Sequence, residues 1–342
     1  MLTLNTVGSP RDRGRAHGQQ AAALARAVCE RYARKGALGA DPAPVLRKLG
    51  AAFPELIEEM RGIAEGAGLS PDLVFRVNLQ RLGAGPACSV AGLRDAAGAP
   101  WVAKTDDIGE DELGSNVLRR VLPSAGPASL QLSFAGTLWT SAGMNDRGLC
   151  MAMTGLDDGP GPEGGLPAML LLPALVERCA TVAEAVAFLS RHELDFGGIS
   201  LLLADASGDL AVLEKKTRGQ CARRLDRDAA FLAHTNHACL GPLADPPAFA
   251  ATPLARNSRE RLGRLQALVP TLPRGREGLM ALLRDHDPRG GLCQHGGGGL
   301  HTDYGIVCSP SERGAWIAAG PPCRTPFNFI PRPSAGLAVQ AP

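Results

Sequence analysis

The hydrophobic period of this chain changes once, near Cys88, and that change narrows the folds open to it. Upstream, apolar residues recur at three and four positions (Val45, Leu46, Leu49; Leu73, Val74, Val77), the spacing of an amphipathic helix. Asp41 before Pro42 and Ser70 before Pro71 each set a capping side chain ahead of a proline at the first helical position, where a missing N–H does no harm. Downstream, short apolar runs are broken by Gly, Asp and Asn: SVAGL and PWVAK flank a turn at 95–98, SLQLSF precedes TLWTSAG, and LCMAMTG follows the turn in MNDRG. Two helices are expected next, at about 166–179 and 182–192, the second opened by a capping box from Thr181 to Glu184. Strands GISLLLAD, LAVLEKK and AAFLAHT, helices over 253–269 and 276–284, and strands DYGIVCS and GAWIAAG complete the pattern. Strands, then helices, then strands imply stacked sheets with helices outside, an α+β chain. Residues 1–87 read as a helical leader and 88–342 as the sheet-bearing part, with a loose tail from Pro331.

Composition excludes more than it selects. At 342 residues, 45% apolar and 20% charged, the chain has room for one large core or two modest ones. A formal net charge of +2 with only 9 Phe, 3 Trp and 2 Tyr gives neither the basic nor the aromatic footprint of a nucleic-acid binder. The first residues lack a charged segment followed by an apolar one, and no run of 18 apolar residues occurs, so neither a signal peptide nor a membrane span is expected and the protein is read as cytoplasmic. Nine cysteines, odd in number, irregularly spaced and without a CxxC pair, argue against a disulfide framework or a zinc ribbon. With no HExxH spacing among the histidines, neither a metal nor a cofactor is expected.

Cys88 differs from the other cysteines in its context. A thiol with a free pKa near ~8.5 needs a base to act as a nucleophile at neutral pH, and an α-amine, with a pKa of roughly 7.7 to 8.0, is a suitable one. An interior Cys88 gains that amine if its thiol attacks the carbonyl of Ala87 and water resolves the thioester into two chains. Ala87 has little bulk, and Gly83, Ala84, Gly85 and Pro86 make the approach a loop rather than a helix. Eighteen residues on, Asp106 ends the strand that returns beside Cys88; Asp107 points to the opposite face, so only one carboxyl meets the thiol. A solvated acidic loop is the plain alternative, because DDIGEDE carries five acids in seven residues. HTNHA at 234–238 supplies Asn236, an amide able to donate to an oxyanion or simply to close a turn. His234 or His237 paired with Cys88 would make a thiol hydrolase that needs no cleavage. Arg256, Arg259, Arg261 and Arg264 read as a solvated helix face.

Taken together these residues resemble the C45 peptidase family, the isopenicillin N acyltransferase-like branch of the N-terminal nucleophile hydrolases. The resemblance runs nearly the whole length: GSPRDRGRAHG at 8–18 is similar to an opening GxPxxxGxxxG run, with Gly14 and Gly18 on one helix face; Cys88 and the interval to Asp106 follow; then AGMNDRGLCMAM at 142–153, HTNHA, RNSRERLGRL from Arg256, LLRDHD from Leu282 and IVCSPSERGAWIAAGPPC at 306–323. The resemblance implies a four-layer αββα sandwich, made as a precursor, cleaved between Ala87 and Cys88, with the leader kept as a small subunit. It implies an amidohydrolase or acyltransferase acting on an amide bond of a small or peptide-like molecule. By the same likeness Cys88 is the nucleophile, its freed amine the base, Asp106 the group orienting that amine and Asn236 the oxyanion donor, with a backbone amide near Thr154 as a second donor and His237 and Gln294 as substrate contacts. Ala87 stands where members commonly have Gly, and Gln294 where they often have Arg; Gln294 offers no charged bidentate grip on a carboxylate, which speaks against a penicillin-like acid. An unprocessed ligand-binding relative without turnover is the reading from another class.

Overall fold

Alternation along the strands divides the apolar residues between three cores, and those cores stack the molecule into four layers. The computed structural model describes residues 1–35, 41–80, 87–162, 165–226, 230–245, 252–287 and 290–334. In chain order the elements are β1 (Leu2–Gly8), α1 (Pro10–Gln20), α2 (Ala22–Arg34), α3 (Ala43–Ala52), α4 (Pro54–Ala67), α5 (Pro71–Asn78), β2 (Ala87–Arg94), β3 (Pro100–Gly109), β4 (Asn116–Pro123), β5 (Ser129–Phe134), β6 (Thr140–Asn145), β7 (Cys150–Pro160), α6 (Ala168–Arg178) and α7 (Val182–Ser190). They continue with β8 (Phe196–Ala204), β9 (Leu210–Lys216), β10 (Gly219–Arg224), β11 (Phe231–His234), α8 (Pro253–Leu268), α9 (Arg276–Leu283), β12 (Leu300–Cys308), β13 (Gly314–Ala318) and β14 (Asn328–Pro331). One sheet runs β1-β4-β5-β6-β7-β8-β9-β10 and the other β11-β2-β3-β12-β13-β14.

Strand β8 shows how the layers form. Leu201 and Leu203 join the leader helices, α6 and α7 in one core, while Leu202 between them packs with Val90 and Val102 of β2 and β3 in the core between the sheets. On the far side of the second sheet, Ala91, Ala103 and Val307 meet Leu265 of α8 and Leu279 and Leu283 of α9. The result is the expected αββα sandwich: helices, large sheet, small sheet, helices.

Among the described residues the leader carries five helices, α3 and α5 beginning near the two expected starts, and one strand that periodicity does not announce. β1 pairs in parallel with β4, from Leu2 opposite Val117 to Gly8 opposite Pro123, and so adds an edge to the large sheet. Helices α1 and α4 approach closely through glycine: a Cβ at Gly14 would stand 1.9 Å from the carbonyl oxygen of Glu59, and one at Gly62 2.2 Å from that of Arg11. Among the caps, Ser70 Oγ accepts from Leu73 N as expected, but α3 begins at Ala43, whose N–H donates to Asp41 Oδ1 at 3.0 Å. Thr181 Oγ1 accepts from Glu184 N, while the Glu184 carboxylate accepts from Ala180 N rather than closing back on Thr181. Gly83 to Pro86, read as a loop before Cys88, lie outside the described residues, as do 335–342 of the tail. Arg332, inside that tail, donates to Asn145 O at 2.6 Å.

Candidate functional site

The β2–β3 hairpin sets Cys88 directly opposite Asp106 and Ala87 opposite Asp107. Period-2 alternation then puts Cys88, Lys104 and Asp106 on the face toward the large sheet and Asp107 on the face toward α8. Cys88 Sγ lies 3.5 Å from Asp106 Oδ1, which also meets Lys104 Nζ at 3.0 Å; Asn116 Nδ2 donates to the other carboxylate oxygen at 3.2 Å. Lys104 is wholly buried, and its ammonium also donates to Met153 O at 2.9 Å. Burial pushes the Cys88 thiol up to about 12, against the pull of the Lys104 ammonium, and Asp106 adds to the rise. Burial alone would lower Lys104, but Cys88 and Asp106 hold it above its ordinary value.

Asn236 follows β11, whose pairing with β2 runs from Phe231 opposite Leu93 to His234 opposite Val90 and so delivers the amide to Cys88. Its orientation is set by its partners. Cys88 N and Arg261 Nη2 both donate, at 2.8 and 2.9 Å, and so require Oδ1; Gly155 O accepts, at 3.0 Å, and so requires Nδ2. Thus Asp106 meets the thiol, while the backbone nitrogen of Cys88 rests on Asn236. Arg261, completely buried on α8, also donates through Nη1 to Cys88 O at 2.5 Å and Ser89 Oγ at 3.0 Å. Burial raises the neighbouring Asp107 carboxyl to about 7, with Arg261 and the Thr302 hydroxyl pulling the other way.

Cys88 and Asp106 line a cavity of about 90 Å³ whose walls are largely apolar, with Phe134, Trp139, Leu156 and Ile199 from the large sheet and its loops and Tyr32 from the leader. Of the other sequence candidates, Met153 and Gly155 on either side of Thr154 line this cavity, whereas His234, His237 and Gln294 do not. His234 is bracketed by Glu214 Oε1 and Thr235 O, each 2.7 Å from a ring nitrogen, so both nitrogens are engaged away from the thiol. His237 Nδ1 meets Ser258 Oγ at 2.7 Å, and burial lowers its pKa to about 4. Thr154 Oγ1 donates to Thr235 O at 2.6 Å and so braces the segment bearing Asn236. Gln294 lines a separate cavity beside Cys293 and His295, with its backbone N–H on Thr302 Oγ1 at 2.7 Å. Sequence reasoning missed Lys104, Asn116 and Arg261. For Arg261 a signal exists: Ala255, Ser258, Arg261 and Leu265 share the buried stripe of α8, whereas Arg256 and Arg259 are exposed as expected and Arg264 binds Asp285 near the surface.

The family model described as acyl-coenzyme A:6-aminopenicillanic acid acyl-transferase matches residues 98–323, a stretch that takes in Asp106, Asn236 and Arg261 and begins after Cys88. No curated protein sequence matches the chain. Among solved structures, penicillin V acylase from Agrobacterium tumefaciens is similar at 16% identity over 71% of this chain and 86% of that one, with a TM-score of 0.47. The Caenorhabditis elegans ortholog of N-acylethanolamine-hydrolyzing acid amidase is similar at 15% identity over 71% of this chain and all 100% of that one, TM-score 0.49. A mutant conjugated bile acid hydrolase from Clostridium perfringens is similar at 12% identity, covering 71% and 92%, TM-score 0.44.

Proposed function

Because the chain belongs to the acyl-coenzyme A:6-aminopenicillanic acid acyl-transferase family, we propose that it cuts itself between Ala87 and Cys88 and then moves an apolar acyl group from a small amide or acyl donor to water or an amine. The observation that carries this reading is the position of Cys88: its thiol lies against Asp106 at an apolar cavity, and its backbone nitrogen rests on Asn236 Oδ1 at 2.8 Å. In the self-cleavage, Sγ adds to the Ala87 carbonyl and the C–N bond breaks as the nitrogen takes the thiol proton. Water hydrolyses the thioester, leaving a carboxylate on Ala87 and a free amine and thiol on Cys88.

The new amine supplies what the buried thiol lacks, a base with a pKa of roughly 7.7 to 8.0 held beside it. It takes the thiol proton as Sγ attacks the substrate carbonyl. The Lys104 ammonium steadies the thiolate, and Asn236 Nδ2 donates to the oxyanion, a contact of the kind worth roughly 10²–10³ in rate. The proton then passes to the leaving amine, and the acyl thioester is consumed by water in hydrolysis or by a second amine in transfer. The largely apolar walls of that cavity suit the hydrocarbon part of an acyl group.

Intact mass spectrometry under denaturing conditions, on fresh protein beside Cys88→Ala, tests the reading. Two chains, ending at Ala87 and starting at Cys88, with the variant uncut, are expected. A wild-type chain that stays whole overturns the terminal-amine mechanism.

A further inference from the structure

Away from Cys88, the small sheet brings together three ligand-type side chains that no sequence spacing announces. Cys293 and His295 lie in the loop before β12, and Cys323 lies in the segment between β13 and β14. Because β12 and β13 are antiparallel neighbours, those loops meet at one end of the sheet. Cys293 Sγ is 3.7 Å from Cys323 Sγ, His295 Nε2 is 3.1 Å from Cys323 Sγ, and all three ligand atoms lie within 4.8 Å of one another. Two thiolates bound at ~2.3 Å around a tetrahedral zinc stand about 3.8 Å apart, whereas a disulfide needs about 2.05 Å.

We propose that Cys293, His295 and Cys323 bind a zinc ion that clips the loop before β12 to the segment after β13. The set of two sulfurs and one imidazole matches a soft or borderline cation and not Mg²⁺ or Ca²⁺, which take oxygen. On binding, Zn²⁺ replaces the two thiol protons, which pass to solvent; no electron moves, and the site is electrically neutral. His295 is exposed, which leaves the fourth position toward solvent, where the His286 ring stands edge-on with its centroid 6.1 Å from that of His295. The loop is already fixed at each ligand-bearing step: Cys293 N donates to Asp285 O at 2.7 Å, Gln294 N to Thr302 Oγ1 at 2.7 Å, and His295 bridges to His301. Thr302 in turn donates to Asp107, the neighbour of Asp106 on β3, so the clip ties that loop to the strand bearing Asp106. A second cluster, Glu214, His234 and Cys239, lacks this character: Glu214 is already bonded to His234 Nε2 and to the backbone N–H groups of Cys239 and Leu240, which occupy its lone pairs.

The test titrates chelator-treated full chain with Zn²⁺ alone, removes free metal by gel filtration and measures retained zinc by elemental analysis. One zinc per chain, with release of two protons, is expected. Cys293→Ser and Cys323→Ser should each abolish retention, and Cys239→Ser should leave it unchanged. Co²⁺ added to wild-type protein gives a readout that needs no variant: tetrahedral d–d bands together with thiolate-to-cobalt charge transfer. Any of the following overturns the proposal: no retained zinc, a cobalt spectrum without thiolate bands, retention that survives Cys323→Ser, retention lost in Cys239→Ser, or a chain that holds no zinc because Cys293 and Cys323 are disulfide-bonded.

Discussion

Lys104 sits two residues before Asp106 on β3, on the face that carries Cys88, and its fully buried ammonium meets Asp106 and Met153 O. A cation within ~4–6 Å of a thiol lowers its pKa by roughly 1–3 units, so Lys104 offsets part of the burial that drives Cys88 up. Lys104→Met removes that cation and leaves Asp106 uncompensated, and both changes disfavour the thiolate. Alkylation of Cys88 at neutral pH should therefore slow roughly tenfold, while Lys104→Arg restores most of the rate. The double variant Lys104→Met with Asp106→Asn removes the buried charge pair together and separates misfolding from lost reactivity; an unchanged rate in a folded Lys104→Met variant would sink the role. The interval from Cys88 to Asp106 was legible because a hairpin fixes it. Lys104 was not, because a lysine within an apolar strand reads as an interruption until its partners are known. The same holds for Arg261, whose three neighbouring arginines do face outward as expected or bind near the surface, while its own place in the buried stripe of α8 disposes it toward Cys88.

Helices α3 and α5 of the leader were legible from period and caps, and Gly14 and Gly18 marked a face open to close packing, but α4 as the element that packs there was not legible. Strand β1 was not legible, since as a sheet edge it shows only a brief alternation, with Leu4 and Thr6 buried between exposed positions. β4 carries two arginines, and Arg119 is buried only because Glu59, from α4, and Gln131 receive it. The close approach of α1 and α4 predicts opposite signs for one substitution. At Gly14 a Cβ would fall 1.9 Å from Glu59 O and 2.9 Å from Ile63 N, backbone atoms that cannot yield without separating the helices. Gly14→Ala should destabilise by roughly 1–3 kcal/mol or more, as overpacking does. Gly263, in the interior of α8 with nothing within 4 Å of its would-be Cβ, should gain up to ~1 kcal/mol as alanine. Urea midpoints of the two variants, measured side by side, check both; equal shifts would deny the tight α1–α4 contact.

At the scale of the whole molecule, the leader is joined to the sheets by buried polar contacts, and these set how the fold responds to acid. Arg13 of α1 reaches Glu59 and Glu177, Asn78 of α5 holds Gly136 O, Leu138 N and Trp139 Nε1, and His17 Nε2 accepts from Gly136 N at 3.0 Å. Glu59 is pulled below and Glu177 pushed above the usual carboxylate value, so their contributions to pH dependence run in opposite directions. His17 and His237 share one sign. Burial, with Arg119 nearby, pushes His17 well below 6.5, and burial lowers His237 to about 4. Each is neutral in the folded chain but takes a proton in the unfolded one as pH falls through ~6.5, so stability is full above that pH and declines below it. Each such imidazole contributes a slope of up to ~1.4 kcal/mol per pH unit, His237 until its folded value near 4 is reached. His17→Gln keeps an acceptor for Gly136 N without a titrating group, so urea unfolding from pH 7 down to about pH 5 should show a slope shallower by about one proton. The neutral His17 also predicts that a wild-type chain cut before Cys88 stays associated near pH 7 and loses its leader in acid before the cut His17→Gln variant does. Size-exclusion chromatography of cut protein across the same range reads that order directly, and a leader that departs equally early from both would place the acid-sensitive contact elsewhere.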